Sequence, residues 1–405
     1  MESDHQMTSF STRAVHAGER LPAPDYTPTT TPIHPAVTYL YDEMQDLDAV
    51  FSRAKDGYVY RRYGNPTTRA LEIALANLEG SDAALTYASG MAAMHAALLA
   101  AGLQTGAHVV AARDCYGATY SLLARLFTDQ GVITHFVDIT DRDAVAAVLQ
   151  SYAPTVLVCE TISNPLLKLA DIPSLVDLAH AAGALVIVDS TFTTPYLMRP
   201  LEYGADFVVH SLSKYVGGHD DVLGGAVITR QAHEARLFEQ LKMLGANLSP
   251  FEAWLALRGL KTLPLRMRQH CASAQQVAAW LAQHPRVAQV NYPGLPEHPQ
   301  HALARRLLTA PDGQPAYGGM VSFVLQAAAH PQVLRFLERL RLVLTGTSLG
   351  DVYSLVLYPV MASHRALTPA QRAEVGIGEG LVRLSVGIED PADIIADLAQ
   401  ALAAD

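Results

Sequence analysis

The stretch ALVIVDSTFTTPYLMRPLEYGADFVVHSLSK, residues 184–214, contains two apolar runs, and each run ends in polar side chains. Residues 185–188 lead into Asp189, and residues 207–209 are followed closely by Lys214. Runs of valine, isoleucine and leucine without polar alternation are typical of strands that are buried on both faces of a sheet. A lysine after such a strand needs an explanation, because lysine is rarely buried without a partner.

The same pattern recurs along the first half of the chain. Short apolar runs alternate with segments whose apolar residues have helical spacing. This alternation predicts an α/β fold with right-handed βαβ units, a mostly parallel sheet of about seven strands and helices on both faces. The predicted strands lie within residues 84–90, 107–117, 133–139, 155–160, 184–191, 205–214 and 224–230.

Changes in composition divide the 405 residues into three parts. Residues 1–62 are rich in proline and threonine and poor in helical pattern, so we expect an extended arm there. Residues 63–259 carry the alternating pattern and form the predicted large domain. Residues 260–405 mix helical and strand-like segments, which favours a smaller α+β domain.

Charge and hydropathy disfavour several classes of partner. The formal net charge is −10 and no long run of lysine or arginine is present, so no nucleic-acid or anionic-membrane surface is expected. No apolar run reaches the ~20 residues of a membrane span. The polar N-terminus lacks the apolar core of a signal peptide, and the cysteines are widely spaced. We therefore expect a cytoplasmic protein with reduced thiols.

Two groups of strand-end residues suit a phosphate. Ser89, Gly90 and Met91 open a predicted helix, where free N–H groups and the helix dipole favour an anion. Ser211 and Ser213 follow a later strand and would add hydroxyl donors, because ligands of such sheets gather beyond the carboxyl ends of the strands. Taken alone, Ser89 is equally well explained as a helix cap without a ligand.

Three further residues suit a planar aldehyde with a ring nitrogen. Asp189 closes a buried strand and would pair with a protonated nitrogen, since an isolated buried carboxylate is costly. Tyr116 would stack on the ring, and Lys214 would form a Schiff base with the aldehyde. Taken singly, Asp189 also suits a turn, Tyr116 the core and Lys214 a surface loop. Together with the phosphate donors they predict pyridoxal 5′-phosphate as the cofactor.

Metal and dinucleotide sites are not predicted. His219, Asp220 and Asp221 are adjacent, but they lie in a glycine-rich loop, and the HPQH stretch at 298–301 is an equally weak metal signal. No G-x-G-x-x-G motif follows a predicted strand, which argues against a dinucleotide site.

Long motifs of the chain match one enzyme family. They are TRAVHAGE (12–19), TPIHPAVTY (31–39), YVYRRYGNPTTRALE (58–72), YASGMAA (87–93), ETISNPLLKLADI (160–172), VDSTFTTPYLMRPLEYGADFVVHSLSKYVGGHDDVLGG (188–225), TSLGD (347–351) and VRLSVGIED (382–390). In these motifs the chain resembles the Cys/Met metabolism (transsulfuration) enzymes of the fold-type I pyridoxal-phosphate class. That family includes methionine γ-lyase, cystathionine γ-lyase, cystathionine γ-synthase and O-acetylhomoserine sulfhydrylase.

The resemblance implies roles for the cofactor residues. Lys214 would bind the cofactor aldehyde, Asp189 would hold the pyridine nitrogen, and Tyr116 would stack on the ring and assist proton transfer. Hydroxyl and backbone groups of the two serine-rich segments would bind the phosphate. The full implied cofactor set is Tyr60, Arg62, Ser89, Gly90, Met91, Tyr116, Asp189, Thr191, Ser211, Ser213 and Lys214.

Tyr60 and Arg62 imply an oligomer. In the family these positions reach into the neighbouring subunit and complete its phosphate site, a task that suits a guanidinium fork. The resemblance therefore implies at least a homodimer with shared active sites, and a tetramer is common among relatives.

The substrate side departs from the family pattern. Arg383 would clamp the α-carboxylate of an amino-acid substrate, with Asn164 and Ser348 nearby. Ser121 stands where enzymes acting on cystathionine usually carry an arginine, and Tyr353 where they tend to carry a glutamate. Both charged partners for the distal end of cystathionine are thus absent, so we expect a shorter or less polar γ-substituent.

Other positions leave the exact reaction open. Ala118 stands where methionine γ-lyases often have a cysteine, and we expect Tyr353 and Tyr358 to line an altered substrate pocket. The leading interpretation is γ-elimination or γ-replacement on a homoserine-type sulfur amino acid, with a methionine-like thioether favoured over cystathionine. A second is an O-acylhomoserine-dependent γ-synthase. A third, disfavoured by the full residue set, is a non-catalytic pyridoxal-phosphate binder.

Overall fold

The computed structural model describes residues 9–18, 28–362, 365 and 368–403. Their main sheet contains β1 (Ala83–Tyr87), β2 (His108–Ala112), β3 (Ile133–Val137), β4 (Val156–Glu160), β5 (Leu185–Asp189), β6 (Phe207–Ser211) and β7 (Gly225–Thr229). The strand order is β1-β7-β6-β5-β4-β2-β3. Only β7 is reversed, because it pairs antiparallel with both β1 and β6 while the other pairings are parallel. The predicted mostly parallel, seven-stranded α/β sheet is confirmed.

Helices cover both faces of this sheet. Along β5, the side chains of Val186 and Val188 join one buried cluster and that of Ile187 joins the other, because successive side chains of a strand point to opposite faces. The α-helices are α1 (Phe10–His16), α2 (Met44–Phe51), α3 (Pro66–Glu79), α4 (Gly90–Ala100), α5 (Gly117–Ser121), α6 (Arg142–Tyr152), α7 (Ile172–Ala181), α8 (Thr194–Leu197), α9 (Gln231–Leu244), α10 (Pro250–Leu260), α11 (Leu263–Gln283), α12 (His301–Leu307), α13 (His330–Arg339), α14 (Pro369–Glu374) and α15 (Pro391–Ala403). Residues of α3, α7 and α10 pack in the first cluster and residues of α4 and α9 in the second.

The N-terminal arm is more ordered than its composition predicts. It contains α1 and α2, and the Ser9 side chain caps α1. Phe10 and Ala14 of α1 are buried, and the Phe10 ring lies 5.6 Å from the Tyr196 ring. Apolar burial thus stabilises a helix at residues 10–16 despite weak helical patterning, and the assignment of residues 1–62 as an arm stays a prediction. Residues 1–8 and 19–27 of the predicted arm lie outside the described residues.

The strand before Lys214 is shorter than predicted. It ends at Ser211, and Leu212–Val216 form a π-helical turn in which Lys214 has non-helical backbone angles, φ −102° and ψ −136°. Leu212 and Tyr215 are both fully buried. Lys214 therefore projects from a turn that is anchored on both sides by apolar packing, not from the strand itself.

A second sheet lies in the C-terminal part of the chain. It consists of β8 (Val287–Asn291), β9 (Met320–Leu325), β10 (Leu344–Thr345), β11 (Leu355–Leu357) and β12 (Leu381–Ser385), in the order β10-β11-β12-β9-β8. Residues of α11, α13 and α15 share its buried cluster, while the first half of α11 packs in the core of the main sheet. The proposed boundaries at residues 62/63 and 259/260 stay a prediction. Within the described ranges, no helix is both long and apolar enough to cross a membrane.

Candidate active site

A cavity of ≈ 250 Å³ lies at the carboxyl edge of the main sheet. Its wall combines strand ends of that sheet, the start of α4, the segment between β10 and β11, and Arg383 of β12. Most of the predicted site residues line it together: Ser89, Gly90, Met91, Tyr116, Asn164, Asp189, Thr191, Ser211, Ser213, Lys214 and Arg383.

One end of the cavity is rich in hydrogen-bond donors. Ser89 caps α4 by accepting a hydrogen bond from the Ala92 N–H (3.1 Å), and Ser213 Oγ accepts one from the Gly224 N–H (3.1 Å). Because each hydroxyl oxygen accepts from backbone, its own proton is free to be donated to a ligand. A Cβ added at Gly90 would lie 3.0 Å from the Ser211 Cβ. The absence of a side chain at Gly90 thus lets the helix N-terminus approach Ser211.

Two carboxyl groups stand side by side deeper in the site. Glu160 and Asp189 are paired in register at the ends of β4 and β5. Burial raises the pKa of both, and the Asp189 charge raises the pKa of Glu160 further. Asp189 Oδ1 accepts a hydrogen bond from the Thr191 N–H (2.9 Å), and Thr191 Oγ1 in turn accepts one from the Ser211 N–H (2.9 Å). A nearby cation would relieve the burial cost of Asp189.

Tyr116 lies at the mouth of the cavity. It immediately precedes α5, and its backbone N–H donates a hydrogen bond to Glu160 Oε1. Its side chain is 43% exposed, so the ring is available to stack on a planar ligand.

Lys214 is held by a residue from the C-terminal part of the chain. Its Nζ donates a hydrogen bond to Ser348 Oγ at 3.0 Å. Burial lowers the pKa of Lys214, the Asp351 carboxylate opposes that shift, and the Arg383 guanidinium adds to it. An amine with a lowered pKa is unprotonated more often near neutral pH, and only the unprotonated amine acts as a nucleophile or base.

Arg383 is a buried cation with two fixed donors. It is 3% exposed, and its Nη1 and Nη2 donate to Asn164 Oδ1 (3.2 Å) and to the Ser348 carbonyl oxygen (2.9 Å). Burial lowers the pKa of Arg383 to about 10. Its Nε is buried and has no hydrogen-bond partner among the described residues. The structure therefore brings Arg383, Asn164 and Ser348 together around an anion-binding group.

Tyr60 and Arg62 are placed apart from this cavity. Tyr60 is 41% exposed, and the Arg62 guanidinium lies over the rings of Tyr60 (5.7 Å) and Tyr63 (4.9 Å) while donating to the Lys242 carbonyl oxygen. Neither residue is among the described residues that line the cavity of their own chain. Their predicted role in a neighbouring subunit stays a prediction.

The positions predicted to select the substrate are also not among the described lining residues. Ser121 lies in α5, and Tyr353 is 51% exposed. Tyr358 is buried in the core of the second sheet, and its hydroxyl donates a hydrogen bond to the Glu379 carbonyl oxygen at 2.8 Å. Within one chain, the structure thus does not place Tyr353 or Tyr358 on the pocket wall.

Sequence reasoning missed Asp351 and the apolar wall. Asp351 has no exposed surface, and its charge acts on Lys214; its only signal in the sequence was the last letter of the TSLGD motif. Ile162, Phe192 and Leu349 line the cavity, but apolar residues in loops carry no distinctive pattern. In the described part of the chain, no group of three or more His, Cys, Asp or Glu side chains is arranged to hold a metal ion.

Pyridoxal 5′-phosphate fits this set of groups. The free hydroxyl protons and the N-terminus of α4 suit its phosphate, and the acid whose pKa is raised by burial, Asp189, suits its protonated ring nitrogen. Lys214 supplies the amine that the aldehyde requires.

Known proteins resemble this chain over its full length. The family model for Cys/Met metabolism PLP-dependent enzymes matches residues 11–403. L-Methionine gamma-lyase from Pseudomonas putida is 41% identical over 406 residues, with 100% of each chain covered. O-Succinylhomoserine sulfhydrylase from Pseudomonas aeruginosa is 39% identical, covering 100% of this chain and 98% of the relative. The crystal structure of cystathionine gamma synthase from Xanthomonas oryzae pv. oryzae, in complex with aminoacrylate and cysteine, has a TM-score of 0.90 at 38% identity and covers 98% of both chains.

Proposed function

Because the chain belongs to the Cys/Met metabolism family of pyridoxal-phosphate-dependent enzymes, we propose that it catalyses γ-elimination on a methionine-like thioether amino acid. The products are a thiol, 2-oxobutanoate and ammonia, with one water consumed. The full-length similarity to L-methionine gamma-lyase from Pseudomonas putida supports this reaction.

The observation that carries the choice of substrate is the charge of the cavity wall. Among its described lining residues, Lys214 and Arg383 are the only Lys or Arg side chains, and both have roles at the α-carbon end. Ile162, Phe192 and Leu223 supply apolar surface. Cystathionine carries an additional carboxylate at its distal end, which would be costly to bury without a cationic partner. A methyl thioether needs no such partner.

Each polar group then has a defined task. Arg383 binds the substrate α-carboxylate, and Asn164 keeps the guanidinium oriented. Lys214 moves protons at the substrate Cα and Cβ, and Tyr116 protonates the departing sulfur. The cofactor, when bound, supplies an electron sink for the negative charge that develops on the substrate. Asp189 keeps the ring nitrogen protonated, which is the condition for that sink.

A second candidate function is γ-replacement on an O-acylhomoserine. It is favoured by the 39% identity to O-succinylhomoserine sulfhydrylase from Pseudomonas aeruginosa. The same residues serve both reactions, because elimination and replacement differ in whether water or a thiol captures the product of γ-cleavage.

The active unit is proposed to be a homodimer in which Tyr60 and Arg62 complete the partner's phosphate site. The support is that Tyr60 is exposed and Arg62 is half-buried, and that neither is among the described residues that line the cavity of their own chain. A cytoplasmic location stays a prediction.

A direct assay separates the two functions. Purified enzyme is incubated separately with L-methionine, L-cystathionine and O-acylhomoserines, each with and without a thiol. Both 2-oxobutanoate, the product of elimination, and the new thioether amino acid, the product of replacement, are measured. We expect release of 2-oxobutanoate from L-methionine without added thiol, and little from cystathionine. If only the acyl esters react, and only when a thiol is present, the γ-synthase function would be supported and the lyase function rejected.

A further inference from the structure

A loop of the C-terminal part, residues 347–352, is fixed directly against the turn that carries Lys214. Gly350 has φ +78°, and a Cβ added there would lie 2.6 Å from the Tyr215 backbone nitrogen. Glycine is therefore required on both conformational and steric grounds. The Val352 N–H donates a hydrogen bond to the Gly218 carbonyl oxygen at 3.0 Å. Backbone contacts thus set the position of this loop, whatever its side chains are.

Asp351 of this loop is a buried acid that is only half satisfied. It has no exposed surface, and its Oδ1 accepts a hydrogen bond from the Asp220 N–H at 2.9 Å. Its Oδ2 is buried and has no hydrogen-bond partner within the described parts of the chain. An unpaired buried carboxylate oxygen is costly, and the charge of a nearby cation lowers that cost. Lys214 is the cation on the facing turn.

We propose that Asp351 is a positioning residue whose carboxylate, together with the Ser348 hydroxyl, balances the positive charge of Lys214 whenever that amine carries a proton. The inference rests on the proposed function, because that function requires Lys214 to gain and lose protons. Ser348 is linked to both groups: its hydroxyl accepts the Lys214 hydrogen bond (3.0 Å), and the same hydroxyl lowers the pKa of Asp351.

The charges around Lys214 give the direction of the effect. Burial lowers the pKa of Lys214 most; Asp351 is the strongest opposing charge, Arg383 lowers the pKa further, and Asp220 opposes again. When the Asp351 charge is removed, burial and the Arg383 charge lower the pKa of Lys214 with less opposition. The lysine should then lose its proton at a lower pH.

The charges around Asp351 are equally definite. Burial raises the pKa of Asp351 to about 6; Asp220 adds to this shift, whereas the Asp220 N–H, the Lys214 amine and the Ser348 hydroxyl oppose it. Tyr215 and Arg266 also lie within range of the Asp351 charge. Above pH 6 the carboxylate is therefore available to compensate Lys214.

Asp351 acts behind the lysine, not on the substrate. It is not among the described residues that line the cavity, and it has no exposed surface. Its influence on the reacting groups must therefore pass through Lys214 and Ser348.

The test uses Asp351→Asn in the holoenzyme. Asparagine keeps an oxygen for the Asp220 N–H and removes the charge. The measurement is the pH midpoint of the visible absorbance change of the lysine-bound cofactor. We expect the midpoint to fall by about one unit, as for loss of an opposite charge near a titrating group. The matched control is Asp220→Asn, in which the side chain is exposed; it should shift the midpoint less, because solvent screens it.

A second measurement does not need bound cofactor, so it can be used if Asp351→Asn binds the cofactor poorly. The full-length chain is freed of cofactor and labelled with acetic anhydride across a pH series, and modification of Lys214 is followed by mass spectrometry. Asp351→Asn should move the labelling midpoint down in pH as well. An unchanged midpoint in both measurements, with or without lower stability, would refute the proposal and leave Asp351 a purely structural residue. Neither readout needs turnover, so a failure of the proposed lyase reaction would be seen separately.

Discussion

Replacement of Arg383 by lysine tests how the site recognises an amino acid. The variant keeps one positive charge but loses the planar fork that donates to Asn164 Oδ1 (3.2 Å) and to the Ser348 carbonyl oxygen (2.9 Å). A lysine cannot hold these contacts and also present two parallel donors to a carboxylate. Hydrogen bonds to charged groups contribute about 1.5–3 kcal/mol each.

The expected loss follows from these contacts. Arg383 is 3% exposed, so solvent neither screens the interaction nor replaces the lost donors. With one to two charged hydrogen bonds lost and part of the attraction retained, the net cost is about 2–4 kcal/mol. At about 1.4 kcal/mol per factor of ten, kcat/KM for L-methionine should fall about 30- to 700-fold.

The assay compares the acid with an amine that lacks the carboxylate. Along with kcat/KM for L-methionine, the competitive inhibition constant of 3-(methylthio)propylamine is measured. Arg383→Lys should leave that constant unchanged, since the amine makes no contact with the clamp. Arg258→Lys, at an exposed position of α10, is the matched control and should leave both values unchanged. Equal weakening of acid and amine, or an unaltered kcat/KM, would refute the assignment of Arg383 as the carboxylate clamp.

Other substitutions test the cofactor end and the fold. Asp189→Asn keeps an acceptor for the Thr191 N–H but removes the carboxylate charge that faces the ring nitrogen, so kcat should fall at least about tenfold at full cofactor occupancy. An unchanged kcat would contradict the pairing of Asp189 with the ring nitrogen. Gly90→Ala places a Cβ 3.0 Å from the Ser211 Cβ and should weaken cofactor affinity about tenfold by displacing a phosphate donor. The control Gly378→Ala, whose Cβ meets no atom within 4 Å, should leave the affinity unchanged. Equal affinities of the two variants would show that the N-terminus of α4 does not bind the phosphate. Burial raises the pKa of Glu72 from 4.5 to about 7, so the native state binds this proton more tightly than the unfolded state, and stability is lost as pH rises through that window. The free energy of unfolding, measured in urea, should therefore fall for the wild type relative to Glu72→Gln between pH 4.5 and about 7. Above about pH 7 the difference between the two proteins should stay constant. A constant difference at every pH would contradict the raised pKa of Glu72.

Strand ends explain why the cofactor residues could be predicted from the sequence. Asp189 and Ser211 each end a buried apolar strand, and parallel strands deliver their carboxyl ends to one edge. The position of Lys214 could not be predicted from a strand end alone, because β6 ends before it and a π-helical turn places it at the cavity. That turn depends on the burial of Leu212 and Tyr215, which a local pattern does not reveal.

The partners of these residues could not be predicted in the same way. Ser348 meets Lys214 across 134 positions of sequence, and Arg383 meets Asn164 across 219. Such contacts depend on how the second sheet packs against the first, and no periodicity encodes that. The resemblance to a family supplied Ser348 and Arg383, but Asp351 was missed, since its half-satisfied carboxyl group is visible only in three dimensions.

Every role assigned to the site depends on covalent binding of pyridoxal 5′-phosphate to Lys214 in this cavity. Borohydride reduction of the purified protein, followed by peptide mass spectrometry, tests it directly. We predict a single phosphopyridoxyl group on the peptide that contains Lys214, and no phosphopyridoxyl group on any peptide of Lys214→Ala. A colourless protein without incorporation, or a phosphopyridoxyl group on another lysine such as Lys168 or Lys242, would contradict the assignment of Lys214 as the cofactor lysine.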